Sequence, residues 1–422
     1  MVYRTYTLIA AAILLFAFAP TSVRADGSIF SANGVGEEIV TGGTRAQGLG
    51  GGAFGLKDTI SFNLRNPALA AFCNRTIFQA AGEVTFWNTS AGGQRATDAQ
   101  FVWKDFALFF PVTPFWRAGL GAQPILRSDL RTYSDQTAQY GDTTRVHYRE
   151  TDDWNGSAVD LQFHNGFLVN NRFAAGVTLS YTVQRNERTR VFGLDNVVPG
   201  SYYLDTRYSE SETFRALAPE FGLYSDVGRG WGVGLAYRPQ VLGHWDYAFG
   251  KAGSDSTVAR SRKSHRPGEL RVGASYVAAS RLVLVADARA EWWSRGDLGL
   301  IADPHGTITP ENPLFLSVGI ERLAGRPLVT AGLQTWGLRG GAYWRKQYWP
   351  LHNETTVQDL GLTLGMSVPI MGAQDWVHWA GEVGMRGRDE TKLGAKEWYV
   401  RTSLQIVIAE SWFEKTRPRI PK

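Results

Sequence analysis

Apolar and polar residues alternate one by one along most of this chain, from about residue 76 onward. In Phe173 to Tyr181 every odd position is apolar and every even one small or polar, the period-two signature of a β-strand with two unlike faces. Leu360, Leu362, Leu364, Met366, Val368 and Ile370 make one such face, with Thr363 and Ser367 on the other. Helical spacing is nearly absent. About fourteen alternating stretches can be counted, beginning near residues 76, 101, 115, 157, 172, 214, 230, 269, 281, 313, 328, 357, 376 and 396. Short connections with turn chemistry (Val112-Thr113-Pro114, Asn170-Asn171, Gly228-Arg229-Gly230, Gly325-Arg326-Pro327, Met371-Gly372-Ala373) take turns with long charged ones near 127–150, 185–212, 248–267, 294–312 and 345–356. An even strand count, with short turns at one rim and long loops at the other, predicts an all-β fold: a closed transmembrane antiparallel β-barrel.

A soluble β-sandwich would alternate as well, so the content of the polar face decides. Extrapolated parity puts Glu83, Asp160, His164, Glu269, Arg271, Asp287, Arg289, Glu291, Asp359, Glu382, Arg386, Glu397 and Arg401 there. Burying so many charges in a sandwich core carries a heavy desolvation penalty. Inside a barrel they meet water and each other while the apolar face meets lipid. Trp87, Trp103, Trp116, Trp231, Trp292, Trp336, Trp376 and Trp398 fall near stretch ends, where interfacial aromatic girdles are expected.

The first residues have the layout of a secretory signal: Arg4, an apolar run from Thr7 to Ala19, and the small-residue site Val23-Arg24-Ala25. Residues 1–25 are therefore expected to be removed. Thirteen residues from Thr7 to Ala19 fall short of the roughly 20 that a spanning helix needs. The lone cysteine, Cys73, rules out an intramolecular disulfide and a cysteine-based zinc site, and is expected to be a buried small hydrophobe. A net charge of only +5 without basic clusters argues against a nucleic-acid partner.

Other motifs are weak. Gly48-Leu49-Gly50-Gly51-Gly52-Ala53 fits a dinucleotide pattern but lacks the strand that should precede it. Four glycosylation sequons, starting at Asn74, Asn88, Asn155 and Asn353, arise easily by chance at this length. The seven histidines show no metal-ligand spacing, so neither metal nor cofactor is expected. His164-Asn165-Gly166 has glycine where an outer-membrane phospholipase carries its serine, so no nucleophile stands there. No enzymatic activity is expected.

Residues 26–75 are glycine-rich and do not alternate. They carry Arg45-Ala46, Gly51-Gly52-Ala53, Asp58 and Asn66-Pro67-Ala68 in that order. This resembles the long-chain fatty-acid and hydrocarbon outer-membrane transporter family (FadL, OmpP1 and TodX-like barrels), although the usual Gly-Leu-Ala continuation is Leu69-Ala70-Ala71 here. At the other end Glu397, Arg401, Leu404, Ile408, Glu410 and Trp412-Phe413 look like the closing strand of such barrels, followed by a basic tail, 414–422. The resemblance implies residues 26–75 as an N-terminal plug, residues 76–413 as the barrel, and passage of hydrophobic molecules toward a lateral gap in the third strand.

The third stretch supports such a route, because Gly119, Gly121 and Pro124 interrupt it and Pro124 has no N–H for a neighbour. Pro219 and Pro239 compete for the same role. Asn66, Pro67 and Ala68 are read as the elbow from plug to barrel, since Pro67 fixes its own φ and biases Asn66 away from helix. Asp287, Arg289, Glu291, Glu382, Arg386, Glu397 and Arg401 are read as an ionic ladder in the lumen. The expected function is passive uptake of small hydrophobic or amphipathic compounds across a bacterial outer membrane. The alternatives are a structural or secretion-associated barrel and a non-selective porin. Expected partners are outer-membrane lipid, a hydrophobic ligand and the barrel-assembly machinery, with the protein itself a monomer.

Overall fold

The computed structural model describes residues 27–31, 35–40, 42–91, 94–140, 144–194, 206–252, 257–295, 310–325, 332–349, 356–370, 375–387 and 394–410. The expected signal segment 1–25, Trp412-Phe413 and the tail 414–422 lie outside them. Among the described residues fourteen strands follow one another round a ring. They are β1 (Thr76–Ala91), β2 (Gln94–Pro111), β3 (Trp116–Tyr140), β4 (Thr144–Leu168), β5 (Phe173–Leu194) and β6 (Thr206–Gly228). Next comes β7, in two parts (Trp231–Arg238 and Val241–Lys251), and β8, also in two (Thr257–Arg266 and Glu269–Ala279). The ring continues with β9 (Leu282–Glu291), β10 (Leu314–Arg322), β11 (Gly337–Lys346), β12 (Gln358–Ile370), β13 (Asp375–Arg386) and β14 (Ala395–Glu410). Each pairs antiparallel with its neighbours, and β14 closes on β1 from Ala395↔Ala91 to Glu410↔Thr76.

The two faces follow the alternation. All thirteen charged or histidine positions assigned to the inner face by parity are buried, from Asp359, Arg386 and Glu397 at 0% to Glu291 at 9%. Outside, Leu161, Leu179, Leu217, Val318, Leu362 and Val400 are exposed, part of an apolar belt that no water-facing surface would carry. With closed hydrogen bonding and that belt, the barrel is embedded in the bacterial outer membrane. No helix among the described residues is long and apolar enough to cross a membrane.

Several boundaries differ from the sequence reading. The segments 127–150, 185–212 and 248–267 are not long loops over their whole length: β3 and β4 run for 25 residues each, and β5 and β6 for 22 and 23. Only about 9–11 residues are needed to cross the membrane. Beyond it both faces can be polar, so alternation disappears while the ladder continues. Exposed cross-strand pairs such as Arg131–Asp153 and Arg149–Asp135 mark that region. β2 starts at Gln94 rather than 101, and β11 at Gly337 rather than 328, with Gly332–Thr335 a 3-10 turn. Two of the expected girdle residues, Trp87 and Trp376, are buried at 2% and 5% because their parity points them inward.

Candidate functional site

The N-terminal segment meets the barrel through three sets of contacts. In the first, Asn66 is extended (φ −135°, ψ 104°) and its side chain accepts from the Ala68 N–H, starting the 3-10 helix Pro67–Phe72. Its Nδ2 donates to the Phe54 carbonyl at 2.7 Å. This helix lies on strand backbone made bare by glycine. Gly166, Gly176 and Gly222 are register partners on β4, β5 and β6. A methyl on Gly176 would come within 2.3 Å of the Pro67 backbone, and one on Gly166 within 2.5 Å of the Ala71 nitrogen. At the end of the helix the Arg117 Nε donates to the Cys73 carbonyl at 2.6 Å, tying the helix end to the start of β3. The glycine track was missed from sequence, although three glycines at inward parity were a readable signal.

The second set is ionic. Two adjacent glutamates of the segment, Glu37 and Glu38, form a short strand against Leu126 and Arg127 of β3. Glu37 is held by Arg386 (2.6 Å), Arg401 (2.8 Å) and Arg127 (3.4 Å). Burial pushes the Glu37 carboxyl up, but those three arginines outweigh it and hold it well below the usual carboxylate range. Glu38 meets Arg289, Arg345 (3.6 Å) and Arg65 (3.8 Å). Farther round, Glu382 takes Arg401 at 2.9 Å and the Tyr343 hydroxyl at 2.6 Å, and Arg386 also reaches Asp359 (3.1 Å) and Glu397 (3.5 Å). Asp287 accepts the Ala53 and Phe54 N–H groups at 2.7 and 2.8 Å instead of a cation. Glu291 accepts from Trp293 Nε1 at 2.6 Å, with Arg289 at 3.7 Å. The strand arginines thus find many of their acids on the N-terminal segment, not only on neighbouring strands.

The third set concerns the wall. The β2–β3 ladder runs from Pro111↔Arg117 to Phe106↔Ala122 and ends there. Gly119 and Gly121 are still paired in it, against the Phe109 ring and His164; Pro124 lies beyond the last pair, beside a bulge before Leu126 in the β4 register. Past that point the free edge of β3 is covered by the segment itself, through Glu37, Glu38 and an Ile39 N–H to Ile125 carbonyl bond of 3.0 Å. Pro219 stays within an unbroken β6, paired to Leu179. Pro239 does break β7, and Pro267 breaks β8 at the same level.

Behind this wall lies a buried apolar cluster that includes Leu126, Phe214, Trp245, Trp293 and Tyr348, with Ile125 packed on it. Trp293 and Tyr348 stack at 4.0 Å, and Trp245 donates to Glu212 at 2.6 Å. A cavity of about 60 Å³ sits between Ile125, Leu126, Phe214, Trp293 and the Arg65–Glu269 pair. Among the described residues no group of three or more histidine, cysteine, aspartate or glutamate side chains could hold a metal ion.

The fold has solved relatives at low identity. A FadL homologue from Pseudomonas aeruginosa superposes with a TM-score of 0.56 at 14% identity, over 88% of this chain and 99% of that one. The monoaromatic hydrocarbon channel CymD gives 0.53 at 14% identity, over 89% and 99%. The toluene transporter TodX of Pseudomonas putida gives 0.55 at 12% identity, also over 89% and 99%. No curated protein sequence matches the chain. The family model described as BamG matches residues 1–227 and 250–418, leaving out, among the strands, most of β7. A match through both the N-terminal segment and nearly all of the wall makes this chain a member of the BamG family, built on the FadL-like barrel.

Proposed function

We propose that the protein is a passive channel for small hydrophobic or amphipathic compounds, with residues 26–75 as its plug. The observation that carries this reading is the apolar cluster inside the barrel, which reaches the wall at Ile125 and Leu126, just where the β2–β3 ladder has stopped. A porin lumen is lined by water-filled polar surface; here aromatic rings crowd the lumen and the ion pairs bind the plug. A hydrophobic compound entering from the long-loop side rests against Phe214, Trp245, Trp293 and Tyr348. It leaves between β2 and β3 past Pro124 when the Glu37–Ile39 stretch moves off the β3 edge. Two of the solved relatives, a toluene transporter and a monoaromatic hydrocarbon channel, support the same class of cargo.

Proteoliposomes test this. Labelled toluene or dodecanoic acid should equilibrate faster than across empty liposomes, and sugars should cause no swelling. Replacing Pro124 with Thr gives the edge an N–H and should slow hydrophobic uptake in a protein that still folds and inserts. Porin-like sugar swelling, or uptake no faster than in empty liposomes, would reject the channel.

Membership of the BamG family favours a second reading, a structural or secretion-associated barrel working beside the barrel-assembly machinery. Its signature is a deletion strain that loses outer-membrane barrel proteins while hydrophobic uptake stays normal.

A further inference from the structure

We infer that the outer wall of the barrel carries a binding site for the phosphate group of an outer-leaflet glycolipid, at the rim of the apolar belt on β6, β7 and β8. The inference goes beyond the channel reading and does not need it.

The faces of the strands fix where this site lies. On β6 the outward positions Val227, Leu223, Phe221 and Leu217 are exposed and apolar, and the next outward one is Arg215, also exposed. From Leu217 to Val227 is eleven residues, within the about 9–11 that a tilted strand needs to cross the membrane. Arg215 therefore stands just past the hydrocarbon. It lies at the end of β6 away from the short turn Gly228-Arg229-Gly230, hence on the long-loop side, where the outer leaflet is. Register extends the row sideways: Arg215 faces His244 on β7, and His244 faces Lys263 on β8. With strands about 4.8 Å apart the three positions span about 10 Å. All three are exposed, whereas Phe214, Trp245 and Ser264 beside them in sequence are buried inside the barrel. Leu242, two positions from His244 toward the membrane, is exposed and apolar again.

This row is short of acid. Asp246 is the carboxylate near it, 3.8 Å from Arg215 and 3.1 Å from His244 Nε2. Among the described residues Lys263 has no acid within ion-pair distance, and the imidazole counts as a cation only when protonated. Two permanent cations thus stand against one anion. By contrast Arg131 is matched with Asp153, Arg149 with Asp135 and Arg185 with Glu187 on the outer face of the same extended sheet.

A lipid phosphate answers the arrangement. Its oxygens accept from the planar guanidinium in pairs and take the ammonium as a point charge. Long basic side chains at the rim of a belt reach the headgroup layer, where each adds to the attraction for an anionic lipid. The acyl chains of the same molecule lie against Leu217 and Leu242, a contact that a free anion cannot make.

The full-length protein in detergent is titrated with bisphosphorylated lipid A and with the same lipid stripped of its phosphates, and bound lipid is counted by native mass spectrometry. The phosphorylated form should bind more tightly. Arg215→Gln and Lys263→Gln should each weaken it about fivefold, the attraction of one cation near an anionic surface, and leave the stripped lipid unaffected. Asp246→Asn removes the competing acid and should tighten binding, a gain that misfolding cannot imitate. Arg131→Gln, at a matched pair on β3, should change nothing. Heat-modifiable migration confirms folding of each variant. Millimolar inorganic phosphate should not displace the lipid; displacement would assign the row to a free anion and overturn the glycolipid. Equal binding of the two lipids, no loss with Lys263→Gln, or weaker binding in Asp246→Asn would overturn the site itself. These positions face away from the lumen, so hydrophobic uptake reports on the channel reading separately and the two can fail independently.

Discussion

Glu37→Gln is the most informative single change in the N-terminal segment. The substitution keeps the shape of a side chain that is 4% exposed and removes its charge. Arg386 retains Asp359 at 3.1 Å and Glu397 at 3.5 Å, and Arg401 retains Glu382 at 2.9 Å. Arg127 is different: among the described residues Glu37 is the acid within ion-pair distance of it, at 3.4 Å, with the Trp87 ring at 4.7 Å and the charges of Asp98 and Asp129 farther off. The variant therefore leaves Arg127 without its direct partner at a largely buried site. Breaking a buried pair from one side typically costs about 3–5 kcal/mol. The cost should fall on the docking of the Glu37–Ile39 stretch to β3 rather than on the barrel, whose strand ladders do not pass through Glu37. Limited proteolysis of the folded protein in detergent should cut within the N-terminal segment far faster than in the wild type, at unchanged β-structure by circular dichroism. Adding Arg127→Gln should restore much of the protection, because the stranded cation is gone. If Glu37→Gln is as protected as the wild type, or the double variant is worse than the single one, the three-arginine clamp is not what holds the segment.

Acid should act in the same direction. Glu37 and Asp58 both have folded carboxyls held below their ordinary values against the upward push of burial, by arginines in each case. Their contribution is complete above about pH 4.5 and is lost as the pH falls through the lowered folded values. Proteolytic protection of the segment should decline as the pH falls below about 4; protection unchanged down to about pH 2 would contradict the assignment. Gly176→Val should force the 3-10 helix off β5, since even the first added carbon meets Pro67 backbone at 2.3 Å; about 1–3 kcal/mol of overpacking is expected, seen as a lower heat-modification temperature. Wild-type behaviour there would mean the helix does not sit on the glycine track. Burial pushes the Cys73 thiol up to about 12, so maleimide should leave the folded protein unlabelled around pH 8 and react after denaturation. Rapid labelling of the native protein would refute its burial.

Much of the fold was legible because strand alternation is local: which face a residue takes depends only on its parity within one stretch. That is why Glu83, Asp160, Glu382 and Arg401 could be turned inward, and Leu362 and Leu364 to the other face, without any knowledge of neighbours. The same locality set the limits. Residues 127–140 read as loop because, past the membrane, neither face needs to be apolar, and only backbone pairing with β4 keeps them extended. Trp87 and Trp376 looked like girdle residues by type and position along the chain, and parity overruled both. The acids that the lumen arginines meet on the N-terminal segment were not legible, unlike strand pairs such as Arg401 with Glu382. Glu37 is 349 residues from Arg386 and 364 from Arg401, and only closure of the ring round the N-terminal segment brings them together. Three glycines became one track, and the end of one ladder became a place in the wall, for the same reason. Register between strands is a property of the closed barrel, fixed by pairing across the whole circumference, and no single stretch of sequence contains it.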